Sequence, residues 1–369
     1  MNQKYTADYG EKKNKVSEKS SRIQWVDIAK GLGIFFVFLG HTIFQDEPWR
    51  VWIYAFHMPL FFFLSGITYN EEKYQQIKDL LLSKFKSIFI PYIALCMIEL
   101  ISYFITLLHG FFRGGKIDLA ILCKKIAGIL IGIRGTPWYC AYWFLLCICA
   151  VYVFMYLLIK SARKMKLCTP KTLVVWLSSI LLCCGIVYGK LRLPYLPWAI
   201  DVAFTSTFFS ILGWKSKADF AKKISGKLMW GAAGGSILFC MLNFYYSGIS
   251  IDMYSNRYGY GFLFILAALL GSIFVIAVSQ RINDKRGIIA HIGKNSLYYY
   301  GVNVLMLKIV DVLTYGLFHV AESENGVFVF VKCIIKATFA MGLSRIFLPC
   351  FNMMKNYLLG IWKVKICTK

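Results

Sequence analysis

The sequence predicts an all-α polytopic membrane protein with about ten transmembrane helices and both termini in the cytoplasm. Three observations carry this expectation. The 369 residues are 58% hydrophobic and 16% charged, with mean hydropathy +0.59, and the apolar residues fall in long runs. The formal net charge is +24, but the basic residues cluster in the short gaps between those runs. That placement speaks of membrane topology, not of nucleic acid. Put the N-terminus inside, and twenty-nine of the 42 Lys and Arg lie on inner segments, nine on outer segments and four within spans.

The elements follow in order. Residues 1–24 are polar and lysine-rich, with no short apolar core and no small-residue cleavage pattern. The first apolar segment is therefore expected to stay as a membrane helix, behind a disordered basic tail at 1–21. Spans are expected near 26–44, 51–69, 88–108, 138–159, 172–189, 198–214, 228–246, 258–279, 296–316 and 326–351. Pro91, Pro137 and Pro197 mark borders. Residues 22–355 form one membrane domain, and 356–369 read as a second basic tail. Residues 109–137 carry five cations on the outer side, and Lys124 and Lys125 interrupt an apolar stretch near its middle. That stretch is expected to be interfacial or re-entrant rather than an eleventh span. The twelve cysteines sit mostly in apolar runs, as Cys147, Cys149, Cys183, Cys184 and Cys240 do. They read as small hydrophobes, and no spacing calls for a metal.

The first span, "KGLGIFFVFLGH", opens on Lys30 and closes on His41. Eleven helical residues separate the two by about 16 Å and return to within about 20° of the same face. Asp27 lies one turn before Lys30. The three form a polar stripe on an apolar helix, and Gly31, Gly33 and Gly40 permit close approach by a neighbour or ligand. The plain reading makes Asp27 and Lys30 border markers and His41 an interfacial residue. Against it, a titratable group in a span is a functional candidate, and histidine suits proton transfer.

These residues carry a resemblance. "WVDIAKGLGIFFVFLGHT" followed by "FHMPLFFFLSGI" resembles the acyltransferase-3 family of integral membrane acyltransferases, most of all its fucose 4-O-acetylase-like branch. Lys30 and His41 match the family's spacing of a basic residue and a histidine in the first span. His57, Pro59, Phe61, Ser65 and Gly66 match the second-span segment. "IFIPYI", "YWFL" around Trp143, "LPWAID" ending at Asp201, "NRYGYGFLF" around Tyr258 and "IGKNSLYYY" follow in order. The resemblance covers roughly residues 22–310. One position departs from it: the family often has a histidine where this chain has Asn303, and asparagine cannot exchange protons.

The resemblance implies a bacterial plasma-membrane O-acyltransferase. It would move an acyl group, usually acetyl, from acyl-coenzyme A to a hydroxyl of a surface glycan or lipid-linked sugar. Acetyl-CoA is then a co-substrate, and no cofactor is expected to stay bound. Asp27 and Lys30 are assigned to the donor end, and His41 to catalysis, as general base or as a transiently acylated nucleophile. His57, Trp143, Asp201 and Tyr258 are assigned to the acceptor. Each has a second reading: an interfacial residue for His57, an aromatic belt for Trp143 and Tyr258, and an ion pair with an outer arginine such as Arg134 for Asp201. Lys308 and Asp311, spaced i, i+3, are expected to neutralise each other. His41 and Asp46 also share a spacing with glycerolipid acyltransferases, but those carry it on a soluble α/β domain, and chance explains it here. Two other classes stay open. One is a transporter or flippase of lipid-linked saccharides; the other is a membrane sensor or assembly subunit with a degenerate site. Homo-oligomerisation is also left open.

Overall fold

A computed structural model of the chain describes residues 23–43, 47–112, 119–136, 142–165, 169–314 and 326–367. Among these residues there is no β-strand, and the only β-type pairing is an isolated bridge between Asp252 and Arg257. The helices are α1 (Gln24–Gly40), α2 (Pro48–Ile67), α3 (Ile77–Lys84), α4 (Ile90–Phe112), α5 (Leu119–Ile131), α6 (Trp143–Lys164), α7 (Pro170–Lys190), α8 (Ile200–Lys215), α9 (Gly226–Ser247), α10 (Gly261–Ser279), α11 (Ile288–Lys294), α12 (Ser296–Leu313) and α13 (Gly326–Cys367). A π-helical turn at Phe85–Phe89 joins α3 to α4.

Eight of these units are long and apolar enough to cross a membrane: α2, the α3–α4 unit, α6, α7, α9, α10, α12 and α13. The chain is an all-α polytopic membrane protein. The other two helices read as spans, α1 and α8, have 17 and 16 residues. Both sit inside the bundle. α1 packs against α2, α10, α11, α12 and α13, and α8 against α2, α6 and α7. A helix that touches protein rather than lipid can be short and polar. α8 accordingly buries Asp201, Thr205, Ser206, Thr207 and Ser210.

Small residues set the closest contacts. A Cβ on Gly66 of α2 would run into the carbonyl of Ser210 on α8, and one on Gly213 of α8 into the carbonyl of Phe63. The seam is tied by Ser65 and Ser210, whose hydroxyls donate to the Phe62 carbonyl at 2.6 and 2.9 Å. On α1, Gly31 meets Ile289 of α11, and Gly293 of α11 meets the backbone of Asp27. The inner end of α1 is thus pressed onto α11.

The connectors sort into two sets. Those read as inner meet one another. Glu71 pairs with Arg163 at 2.8 Å, and Gln280 donates to the carbonyls of Phe220 and Lys222 at 3.0 and 3.1 Å. Those read as outer also meet. The indole of Trp198 donates to the Leu130 carbonyl at 3.1 Å, and its backbone N–H to Gly132 at 3.1 Å.

Some boundaries differ from the sequence expectation. The third span begins as helix at Ile77, eleven residues early, because the π turn carries the polar stretch into the apolar one. The last helix runs to Cys367, beyond the span end expected near 351. α5 has only 13 residues, about 20 Å, which is short for a crossing. Its last turn is held against the first turn of α4, where the Tyr92 hydroxyl donates to the Ile129 carbonyl at 2.7 Å. The tail expected at 1–21 and the residue Asp46 lie outside the described residues.

Candidate active site

His41 follows directly on Gly40, the last residue of α1. No basic residue of α1 itself meets the exposed carbonyls at this helix end. Arg50 of α2 does so, donating from Nε to the Gly40 carbonyl at 3.2 Å. The same guanidinium lies 3.9 Å over the ring of Tyr54. Tyr54 in turn touches both histidines edge-on, with ring centroids 6.4 Å from His41 and 4.9 Å from His57. Arg50, Tyr54 and His57 are spaced i, i+4, i+7 and share one face of α2.

His57 is buried, and its Nδ1 lies 2.8 Å from the Ile53 carbonyl. A carbonyl accepts, so Nδ1 carries the proton and Nε2 offers its lone pair. His41 is exposed, on the wall of a cavity of about 560 Å³ that His57 also lines. Val37, one turn below His41, is on the same wall, so this face of α1 looks into the cavity. Trp143, at the start of α6, forms another part of the wall and meets Tyr254 edge-on at 6.3 Å.

The far wall comes from the connector between α9 and α10. Asp252 and Tyr254 line it, and His41 lies within electrostatic reach of Asp252 and Arg50. Asp252 is braced by its own loop. Its Oδ1 accepts the Tyr254 N–H at 3.0 Å and its Oδ2 the Ser255 hydroxyl at 2.6 Å. Glu99 of α4 and Lys308 of α12 also line the cavity. The expected Lys308–Asp311 pair does not form. Asp311 accepts from Lys336 of α13 at 2.9 Å, because α12 and α13 pack together and bring that lysine opposite. Asn303 lines the same cavity with its carbonyl oxygen buried and unpartnered, while its amide donates to the Tyr300 carbonyl.

The cavity therefore gathers three of the residues singled out from sequence, His41, His57 and Trp143, together with Asn303. Asp201 and Tyr258 do not line it. They belong to a buried network behind the far wall. Arg134 pairs with Asp201, both side chains are fully buried, and Arg134 also donates to the Tyr254 carbonyl. Asn256 donates to Asp201 at 2.6 Å and accepts from Tyr258 at 3.0 Å. Trp198 and Ala199, just before Asp201, both have left-handed backbones, with φ 58 and 52. The turn that aims Asp201 at Arg134 is thus strained and held by the hydrogen bonds from Trp198.

Asp27 and Lys30 lie at the other end of α1, where Asp27 is buried against α11. Lys84 of α3 lies within electrostatic reach of Lys30 and Lys73, with its ammonium 3.3 Å over the ring of Tyr152. Among the described residues no three His, Cys, Asp or Glu side chains gather as metal ligands would.

Sequence reasoning missed Arg50, Tyr54, Asp252, Tyr254 and Lys84. The i, i+4, i+7 spacing to His57 was a signal for the first two. Asp252 and Tyr254 lie on a non-helical connector, where no periodicity exists to read.

No curated protein and no solved structure matches the chain. The family model Acyl_transf_3, described as an acyltransferase domain, matches residues 23–345. That match spans the helices that build the cavity, from α1 and its His41 to α12, and the chain belongs to the acyltransferase-3 family of multi-pass membrane acyltransferases.

Proposed function

We propose that the protein is a plasma-membrane O-acyltransferase of the fucose 4-O-acetylase-like kind. It carries acetyl, or another short acyl group, from acyl-coenzyme A to a hydroxyl of a surface glycan or lipid-linked sugar. The observation that carries this reading is the single cavity onto which His41 and His57 both open, walled by Trp143, Tyr54 and Tyr254. Aromatic walls suit a sugar, and two imidazoles suit a hydroxyl that must lose its proton.

In the proposed reaction the acceptor hydroxyl attacks the thioester carbonyl carbon while His41 takes its proton. The tetrahedral intermediate collapses with loss of the carbon–sulfur bond. The thiolate then recovers the proton from the His41 imidazolium, leaving ester and free thiol. His57 Nε2 and the Asn303 carbonyl oxygen accept hydrogen bonds from the sugar and orient it. Arg50 offers a fixed positive charge beside the reacting groups, where negative charge develops on the carbonyl oxygen. At the inner end Lys30, with Lys84 and Lys73, faces the donor phosphates, and Asp27 stands beside Lys30. Acetyl-CoA is consumed as co-substrate.

The test is direct. Purified protein in lipid is given acetyl-CoA and candidate glycans, and the glycans are weighed by mass spectrometry. Wild type yields a product heavier by one acetyl group and His41→Ala does not. No acylated product from any glycan tried, or full activity in His41→Ala, would overturn the assignment.

A further inference from the structure

A second cavity of about 1070 Å³ lies between the end of α7, the stretch after it, the end of α9 and the far side of the α9–α10 connector. Lys190, Arg192 and Arg257 line it, and no Asp or Glu does. Lys190 and Arg192 make no ion pair among the described residues, and both are exposed. Arg257 is 3.9 Å from Asp252, whose oxygens are already engaged by Tyr254 and Ser255. These three are among only nine cations on segments read as outer, where the charge bias of membrane proteins disfavours them. Ser250 is also among the lining residues, and its hydroxyl is buried without a hydrogen-bond partner. Tyr246 and Tyr260, both exposed, are also among the lining residues.

We propose that this cavity binds the phosphate-bearing end of a saccharide on the outer face, with the oxyanion held by Arg192, Arg257 and Lys190 and the sugar next to the phosphate, a different one from the sugar acylated beside His41, against the tyrosines. Cations without carboxylates select an oxyanion, and guanidinium forks match phosphate geometry. The volume exceeds what a bare phosphate needs, and exposed tyrosines suit a sugar face. One connector walls both cavities. Asp252 and Tyr254 face the histidines, while Ser255, Asn256 and Arg257 face this cavity. The inference thus deepens the acyl-transfer reading, on which it rests, by giving the acceptor an anionic group held behind the connector.

The experiment measures binding without an acyl donor. The full chain in phosphatidylcholine nanodiscs is titrated with glucose 1-phosphate, inorganic phosphate and glucose, following tyrosine fluorescence or ligand-observed NMR. Glucose 1-phosphate is expected to bind best, and glucose at least tenfold more weakly. Added salt should weaken the binding of glucose 1-phosphate. Arg192→Gln, at an exposed position, and Arg257→Gln should each weaken it about tenfold, in keeping with the loss of a charge-assisted contact. His41→Ala should bind as wild type does. Wild-type affinity in both arginine variants would overturn the proposal. So would saturation that appears only for phosphatidylglycerol added to the discs, which assigns the cavity to a lipid headgroup. Failure here is separable from failure of acyl transfer. A protein that acetylates neutral glycans but ignores glucose 1-phosphate sinks only this inference. One that binds the phosphosugar but never forms an ester sinks only the other.

Discussion

His41 and His57 face the same cavity but are held differently, and the difference assigns their work. His57 is locked, with Nδ1 on the Ile53 carbonyl and its ring against Tyr54. The His41 imidazole has no hydrogen-bond partner among the described residues and stands at a helix end, with Arg50 and Asp252 in electrostatic reach. We assign proton transfer to His41, which has Arg50 and Asp252 in electrostatic reach, and orientation of the acceptor to His57, whose ring is fixed. His41→Ala is therefore expected to lower kcat by about 10²–10⁴-fold with KM little changed. His57→Ala should chiefly raise KM for the acceptor. Steady-state kinetics on both variants would reverse the two roles if the split came out the other way. Asp201 tells a different story at the same scale. Its carboxylate is occupied by Arg134 and Asn256, and both charges are fully buried. Removing one partner leaves the other charge in a dry site, so Asp201→Leu should cost about 3–5 kcal/mol of stability. Replacing both, as Arg134→Met with Asp201→Leu, should recover much of that loss. Thermal unfolding in detergent would check it, and a double variant no better than the single one would refute the pairing argument.

Helix packing rests on a few positions where no side chain fits. Gly66 and Gly213 face opposite backbones across the α2–α8 seam, so neither neighbour can give way cheaply. Gly66→Ala or Gly213→Ala should destabilise by about 1–3 kcal/mol or more. Gly231→Ala on α9, with open space around the new methyl, should be neutral or stabilising by up to about 1 kcal/mol. Equal melting temperatures for all three would remove the seam argument. These elements also show what the sequence could and could not reveal. Hydropathy located the helices because lipid-facing and core-facing residues are both apolar, and a long apolar run has few other uses. It misplaced the start of the third span because the π turn lets polar Lys84 and Lys86 continue a helix that hydropathy ends. His41, His57 and Trp143 were legible as polar or aromatic punctuation within apolar runs. Asp252 and Tyr254 were not, because a connector carries no period and only the folded chain brings it over the α1–α2 corner. Asp201 was legible as unusual, but its partner 67 residues away was one of several outer arginines.

For the whole molecule, the question is which side sees which substrate. Twenty-nine of the 42 cations fall on segments read as inner, and the described connectors among these contact one another. Lys30 lies toward that side, about 16 Å of helix from His41, and within electrostatic reach of Lys84. The cation-poor side carries the opening connectors of the histidine cavity. α5 fits this arrangement only as a non-crossing helix. If it crossed, Asp252 and Tyr254 would stand on the opposite side from His41 and Arg50, with which they line one cavity. On the proposed reading the donor is a coenzyme A thioester, which carries several negative charges and does not pass a bilayer, so it would arrive on the lysine side. Sealed inside-out vesicles, with the cytoplasmic face outward, should therefore acetylate when acetyl-CoA is added to the medium, while right-side-out vesicles should not until they are permeabilised. The same preparations carrying a C-terminal reporter should show it on the lysine side. Equal rates from both vesicle types would break the one-sided donor path, and a reporter on the opposite face would invert the orientation from which every site is placed.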